Sequence, residues 1–211
     1  MMTDIDSYIA EHIDAEPPAL HELYRRTHLT RLYPRMCCGH VQGRILKMLT
    51  AMIRPQRILE LGTFSGYSAL CLAEGMPQGA VLHTIEIDDE AEDAIRQALD
   101  ASPRAADITL HIGDALDIVP RLPHQWDMAL IDANKRYYVD YYRMLRPLMA
   151  PGGFIIADNT LWDGKVTDPD ATDAQTRGIR AFNDLIAADT SVEKVMLPLR
   201  DGLTIIRCLP I

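Results

Sequence analysis

From Arg57 onward, short apolar runs alternate with stretches whose apolar residues recur at helical spacing. RILELG, AVLHTIEI, ITLHIG, DMALIDA and GGFIIADN are five predicted strands, with helical stretches near 67–75, 89–100, 115–120 and 136–149 between them. Strands that alternate with helices predict βαβ units and a doubly wound, mostly parallel sheet in an α/β fold, with ligands at the carboxyl ends of the strands. A helix around Thr176 to Ala188 follows, then the runs VEKVMLPL and GLTIIRC, separated by Arg200, Asp201 and Gly202. Two strands across a short turn containing Asp-Gly predict an antiparallel C-terminal hairpin, which brings the sheet to seven strands.

Ahead of this core, Asp4 to Ala15 and Leu20 to His28 read as short helices divided by Pro17 and Pro18. Gln42 to Ile53 repeats apolar residues at Ile45, Met48, Leu49 and Met52 and stops before Pro55, as a helix would. The expected organisation is one unit: N-terminal helices over residues 1–54 capping a core over residues 55–211.

Composition narrows the class. A 211-residue chain that is 48% hydrophobic can bury one substantial core. Its longest apolar stretches, Met128 to Ile131 and Phe154 to Ala157, fall far short of the roughly 20 residues a membrane-spanning helix needs. The N-terminus lacks the charged and then apolar blocks of a secretory signal, so a cytoplasmic protein with no membrane partner is expected. Cys37, Cys38, Cys71 and Cys208 show no C-x-x-C spacing and read as reduced thiols. A net charge of −9 argues against general nucleic-acid binding. One local exception stands out: between Arg25 and Lys47 lie Arg25, Arg26, Arg31, Arg35, Arg44 and Lys47 with no acidic residue.

Candidate chemistry sits at the predicted strand ends. In ILELGTFSGYSALCLA, an apolar strand passes through a glycine loop into a helix, where Gly62 and Gly66 let a ligand approach the backbone. The spacing is G-x-x-x-G, not the G-x-G-x-x-G of a dinucleotide site, and Glu60 at the strand end suits a cationic ligand better than a diphosphate. Glu86 ends the second strand, where an acid commonly accepts hydrogen bonds from ribose hydroxyls. Gly113, Asp114 and Ala115 end the third, where a carboxylate can meet an adenine amino group. Together they describe a pocket for an adenosine-bearing ligand without phosphates.

Strand four ends in DANK (Asp132 to Lys135) and strand five in ADNT (Ala157 to Thr160). In a parallel sheet Asp132, Asp158 and Asn159 converge beside the glycine loop, offering hard oxygen ligands for a divalent cation: Mg²⁺ first, or Mn²⁺ or Ca²⁺. A hydroxyl on such an ion, opposite a sulfonium methyl group, would have its pKa lowered, and Lys135 could take its proton.

With RMCCGHVQGRIL, ELGTFSGYSALCLA, GDAL, LIDANK, PGGFIIADNTLWDGKV and LPLRDGLTIIR, almost the whole chain resembles the cation-dependent O-methyltransferases, which include catechol and caffeoyl-CoA O-methyltransferases. The resemblance implies a class I, Rossmann-like methyltransferase core, with S-adenosylmethionine as methyl donor. It implies Asp132, Asp158 and Asn159 as metal ligands and Lys135 as general base. It also implies that Cys38, Glu60, Gly62, Thr63 and Ser68 surround the methionine part of the donor, Glu86 the ribose, and Asp114 and Ala115 the adenine, with Asp132 beside the donor. Trp162 and Tyr137 would lie near the substrate mouth, a packed core position being the alternative for Tyr137. A homodimer is usual for the resemblance.

The acceptor is expected to be a small catechol-like or vicinal-diol aromatic, because two adjacent oxygens chelate an ion better than one. The basic stretch supports a second acceptor, a hydroxylated tRNA nucleoside; its arginines could instead solvate helix faces or pair with acids. From another class come a nicotinamide-dependent oxidoreductase and a plain nucleotide-binding module, both disfavoured by the missing G-x-G-x-x-G and by the DANK and ADNT clusters.

Overall fold

The computed structural model describes residues 4–122 and 125–210. Three helices lead the chain: α1 (Asp4–Glu11), α2 (Pro18–Thr30) and α3 (Gly39–Ile53). The core then runs β1 (Arg57–Leu61), α4 (Tyr67–Gly75), β2 (Val81–Glu86), α5 (Glu92–Asp100), β3 (Ile108–Ile112), α6 (Ala115–Ile118), β4 (Trp126–Ile131), α7 (Tyr138–Leu145), β5 (Met149–Asp158), α8 (Ala174–Ala188), β6 (Val192–Leu197) and β7 (Leu203–Cys208).

The strands form one seven-stranded sheet in the order β3-β2-β1-β4-β5-β7-β6. The first five are parallel, and β7 pairs antiparallel with both β5 and β6. Side chains alternate faces along each strand. Ile58, Met128, Leu130 and Ile156 pack on one side with Leu72 and Ala73 of α4 and Leu46 of α3. Leu59, Leu61, Ala129, Ile131, Ile155 and Ala157 pack on the other with Tyr138, Ile179 and Phe182. Burial on both faces explains why these strands read as near-continuous apolar runs. The N-terminal segment joins the first of these cores through Leu20 and Leu23 of α2.

One expectation needs adjusting. The first helix stops at Glu11, not Ala15. Pro17 disfavours helical backbone at the residue before it, and Glu16 instead accepts a hydrogen bond from the Tyr67 hydroxyl at 2.5 Å. The expected antiparallel hairpin forms, and it enters the sheet by its second strand. In β7 (LTIIRC) most residues are buried, so it lies inside against β5, while β6 exposes Glu193, Lys194 and Val195 at the sheet edge, where charge discourages pairing with another chain.

Strand order reverses at β1, whose neighbours β2 and β4 lead away in opposite directions. A crevice opens at such a switch point, outside the carboxyl ends of the strands.

Candidate active site

That crevice is a cleft of 1110 Å³, at the upper end of the roughly 300–1,000 Å³ typical of small-molecule sites. Its walls include Cys38, Gly62, Glu86, Asp114, Ala115, Asp132, Lys135, Tyr137, Asp158, Asn159 and Trp162. Gly62 and Asn159, 97 positions apart in the chain, meet here because each sits just past a strand end.

The glycine loop forms the first wall. Gly62 N–H and Thr63 N–H both donate to Ile85 O, at 3.0 and 3.2 Å, which fastens the loop to β2. Thr63 and Ser68 line a small recess continuous in its lining with Cys38, Gly62 and Asp132. Glu60 is not on the cleft wall. It is fully buried beneath the loop, with Oε2 accepting from Thr84 Oγ1 at 2.5 Å and Oε1 without a hydrogen bond of good geometry. Burial pushes its carboxyl up to about 8, against the opposing pull of the Ser68 and Thr84 hydroxyls. Burial without a charge partner keeps this carboxyl protonated, and a cationic ligand group beside it would favour the ionised form.

Glu86 is buried at the end of β2. Its Oε2 accepts from Phe64 N–H at 2.6 Å, and its Oε1 accepts from Ile87 and Asp88 N–H at 2.9 and 3.0 Å. The backbone thus holds the carboxylate rigid and draws Phe64 into a left-handed conformation over it, at φ 54°. Asp114 caps α6 through Leu116 N–H, at 2.8 Å.

The opposite wall carries the acid–base cluster. Asp132 Oδ1 accepts from Lys135 Nζ at 2.8 Å. Lys135 Nζ also donates to the hydroxyl of Tyr138, again at 2.8 Å, and that hydroxyl lies 3.0 Å from Asp158 O. Tyr138 is wholly buried, so it pins the lysine head between β4 and β5. Asp158 is buried as well, and burial together with the nearby charge of Asp132 raises its carboxyl to about 6. Asn159 follows at φ 57°, a left-handed turn that ends the strand. Among the described residues nothing hydrogen-bonds to its side-chain amide. Nor do three His, Cys, Asp or Glu side chains gather anywhere among the described residues as a metal site. The set present here is two carboxylates and one amide, suited to a hard cation.

At the mouth, Tyr137 is 45% exposed, which decides against a core position for it. Trp162 is half-buried with Lys165 Nζ 5.8 Å from its ring centre.

The basic stretch does not form one face. Arg44 is buried, its guanidinium bonded to both oxygens of Glu74 at 3.0 and 2.7 Å, and Lys47 reaches the same carboxylate at 2.9 Å. Arg25 lies near Glu22 at 3.7 Å and Arg26 donates to Gln97 at 3.3 Å. Only Arg31 and Arg35 of the six line the cleft.

A family model described as O-methyltransferase matches residues 10–209. The chain belongs to the O-methyltransferase family. It is 32% identical over 198 residues to a catechol O-methyltransferase of Niastella koreensis, covering 92% of this chain and 89% of that enzyme. Against a caffeoyl-CoA O-methyltransferase of Zea mays it is 31% identical over 208 residues, 91% of this chain and 77% of that one. The crystal structure of the O-methyltransferase TomG from Streptomyces achromogenes, in complex with SAM, matches with a TM-score of 0.90 at 31% identity, over 98% of this chain and 96% of that one. The sheet of this O-methyltransferase, parallel with an antiparallel final hairpin, is the class I methyltransferase arrangement. Among the described residues no helix is long and apolar enough to cross a membrane.

Several residues of the site escaped the sequence reading. Gln42 looked like a helix start and Arg200 and Asp201 like turn residues, while Tyr138 was not singled out within the helical stretch near 136–149. The only available signal was indirect: a polar residue at the start of an otherwise apolar helix face, and a turn longer than a two-residue hairpin needs.

Proposed function

We propose that this O-methyltransferase transfers the methyl group of S-adenosylmethionine to a hydroxyl of a small catechol-like aromatic, with a divalent cation held by Asp132, Asp158 and Asn159. The observation that carries the proposal is the pairing of two carboxylates across β4 and β5, at the rim of the same cleft as the glycine loop. Asp132 raises the proton affinity of Asp158, and Lys135 is one cation against two acids, so the site is short of positive charge. A hard divalent ion fits both the charge and the oxygen donors. When bound, it would lower the pKa of a coordinated hydroxyl.

The remaining work falls to the chain itself. Lys135 Nζ, held by Asp132 and the Tyr138 hydroxyl, is the group to receive the hydroxyl proton, a role open to it only as the neutral amine, after its own proton has left for solvent. Thr63 and Ser68 line the recess beside Gly62 that suits the donor's methionine portion, and the buried Glu60 carboxyl beneath the loop favours its ammonium. Glu86 keeps lone-pair capacity for ribose hydroxyls beyond its three backbone bonds. Tyr137 and Trp162 offer aromatic faces to a planar acceptor. Much of the rate would come from holding oxygen and methyl carbon in contact inside the cleft. A small acceptor is supported by the catechol and caffeoyl-CoA relatives, and the sequestration of Arg44 and Lys47 by Glu74 weakens the tRNA alternative.

The test is methyl transfer from labelled donor to catechol, a hydroxycinnamoyl ester and total tRNA, with Mg²⁺ or with EDTA. Mg²⁺-dependent labelling of catechol that is lost in Asp158→Ala is expected. Transfer that persists in EDTA and in the variant would remove the metal from the mechanism, and labelling of tRNA alone would replace the acceptor.

A further inference from the structure

Gln42 stands near the start of α3, 116 positions from Asp158 in sequence, and is only 3% exposed. Its Nε2 donates to Asp158 Oδ2 at 2.6 Å, and its Oε1 accepts from Arg200 Nη1 at 2.8 Å. A side-chain amide can face either way, but a guanidinium has only donors. Arg200 therefore claims the oxygen of Gln42 and turns its NH₂ towards the carboxylate. The other oxygen of Asp158, Oδ1, accepts from Asn159 N–H at 2.8 Å. One bond on each oxygen fixes the plane of the carboxylate and leaves lone pairs facing the cleft.

Arg200 is itself held. It sits at φ 48° in the turn between β6 and β7 and also donates to Cys38 O. The next residue, Asp201, accepts from Asp163 N–H through its side chain and from Leu161 N–H through its carbonyl, the latter at 2.8 Å. Gly202 O accepts from Thr160 N–H at 3.1 Å. A single turn thus grips the loop after Asn159 on one side and α3 on the other. Packing alone does not call for this arrangement: a Met at position 42 would fill the same space without burying an amide, which costs free energy unless both its ends are bonded.

We infer that Gln42, oriented by Arg200, is a positioning residue that sets the angle at which Asp158 meets the divalent cation. The inference rests on the metal reading proposed above. Partners of this kind orient metal-ligating carboxylates, and their loss typically weakens metal binding about 10–100-fold.

The experiment measures Mn²⁺ binding to the purified protein, without donor or acceptor, by the electron paramagnetic resonance signal of free Mn²⁺. Calorimetry with S-adenosylhomocysteine runs in parallel. Gln42→Met is expected to weaken Mn²⁺ binding about 10–100-fold, with the S-adenosylhomocysteine affinity within about twofold of wild type. Arg200→Met, at an exposed position, should weaken Mn²⁺ in the same direction and carries the test if Gln42→Met does not fold. Restoring the donor with Gln42→Lys should not restore binding, because an added cation competes with the metal. A merely structural role would lower the melting temperature and leave Mn²⁺ affinity unchanged. Wild-type affinity in both Met variants overturns the inference about Gln42 alone. Absence of Mn²⁺ binding in the wild type overturns the metal reading, and this inference with it.

Discussion

Replacing Gly62 by Ala tests whether the glycine loop and the acid–base cluster are packed as one piece. Gly62 has φ +97°, and a Cβ built on it would lie 2.0 Å from Asp132 O and 2.7 Å from Asp132 C. Both are backbone atoms, so no rotamer change relieves the overlap. The two segments would have to part by roughly 1.5 Å to reach ordinary contact distance. A left-handed φ costs an alanine about 1–2 kcal/mol, and overpacking against the core adds about 1–3 kcal/mol. Gly79 supplies the control: its φ is +80°, and a Cβ there meets nothing within 4 Å. Gly79→Ala therefore carries the backbone term alone. For a chain of this length 1 kcal/mol corresponds to about 2–4 °C in Tm, so Gly62→Ala should melt roughly 2–12 °C below Gly79→Ala. Asp132 cannot keep its place when its carbonyl is displaced, and a shift of about 1 Å at a reacting site can cost about 100-fold in rate. Paired thermal melts and methyl-transfer assays on the two variants measure both effects. Equal melting temperatures, or wild-type turnover in Gly62→Ala, would refute the claim that donor loop and metal site share this contact.

Lys135→Met should lower kcat by about 100-fold or more while S-adenosylhomocysteine affinity stays within about twofold, since the lysine is the proposed base and does not line the recess beside Thr63 and Ser68; a kcat within about tenfold of wild type, read by single-turnover kinetics, would dismiss it as the base. The pH dependence follows from Asp158, whose carboxyl rises from 3.8 to about 6 through burial and the charge of Asp132. Across that window the folded chain holds a proton that the unfolded chain has released, so metal-free stability falls as pH rises. Cation binding needs the deprotonated carboxylate and strengthens over the same interval. Mg²⁺ should accordingly raise Tm at about pH 7.5 and hardly at all at about pH 5, and an equal rise at both would contradict this assignment.

The chain's own pattern determined the sheet and the direction from which ligands approach. Apolar runs of strand length between helical stretches leave few alternatives to a doubly wound sheet, and Asp132, Asp158 and Asn159 follow directly on such runs. Side chains at strand ends share an edge in any parallel sheet, so their convergence was legible without coordinates. What tertiary structure decided concerns residues whose role depends on a partner distant in sequence. The basic stretch from Arg25 to Lys47 left open either a phosphate-binding patch or pairing with acids, and packing of α3 on α4 pairs Arg44 and Lys47 with Glu74. Alternation could not tell which hairpin strand lies inside; the burial of β7 against β5 did. Gln42 and Arg200 read as ordinary helix and turn residues, because nothing local records that they meet each other 158 positions apart and act together on Asp158. Local pattern encodes faces and ends of elements, whereas hydrogen-bond partners are chosen only when those elements pack.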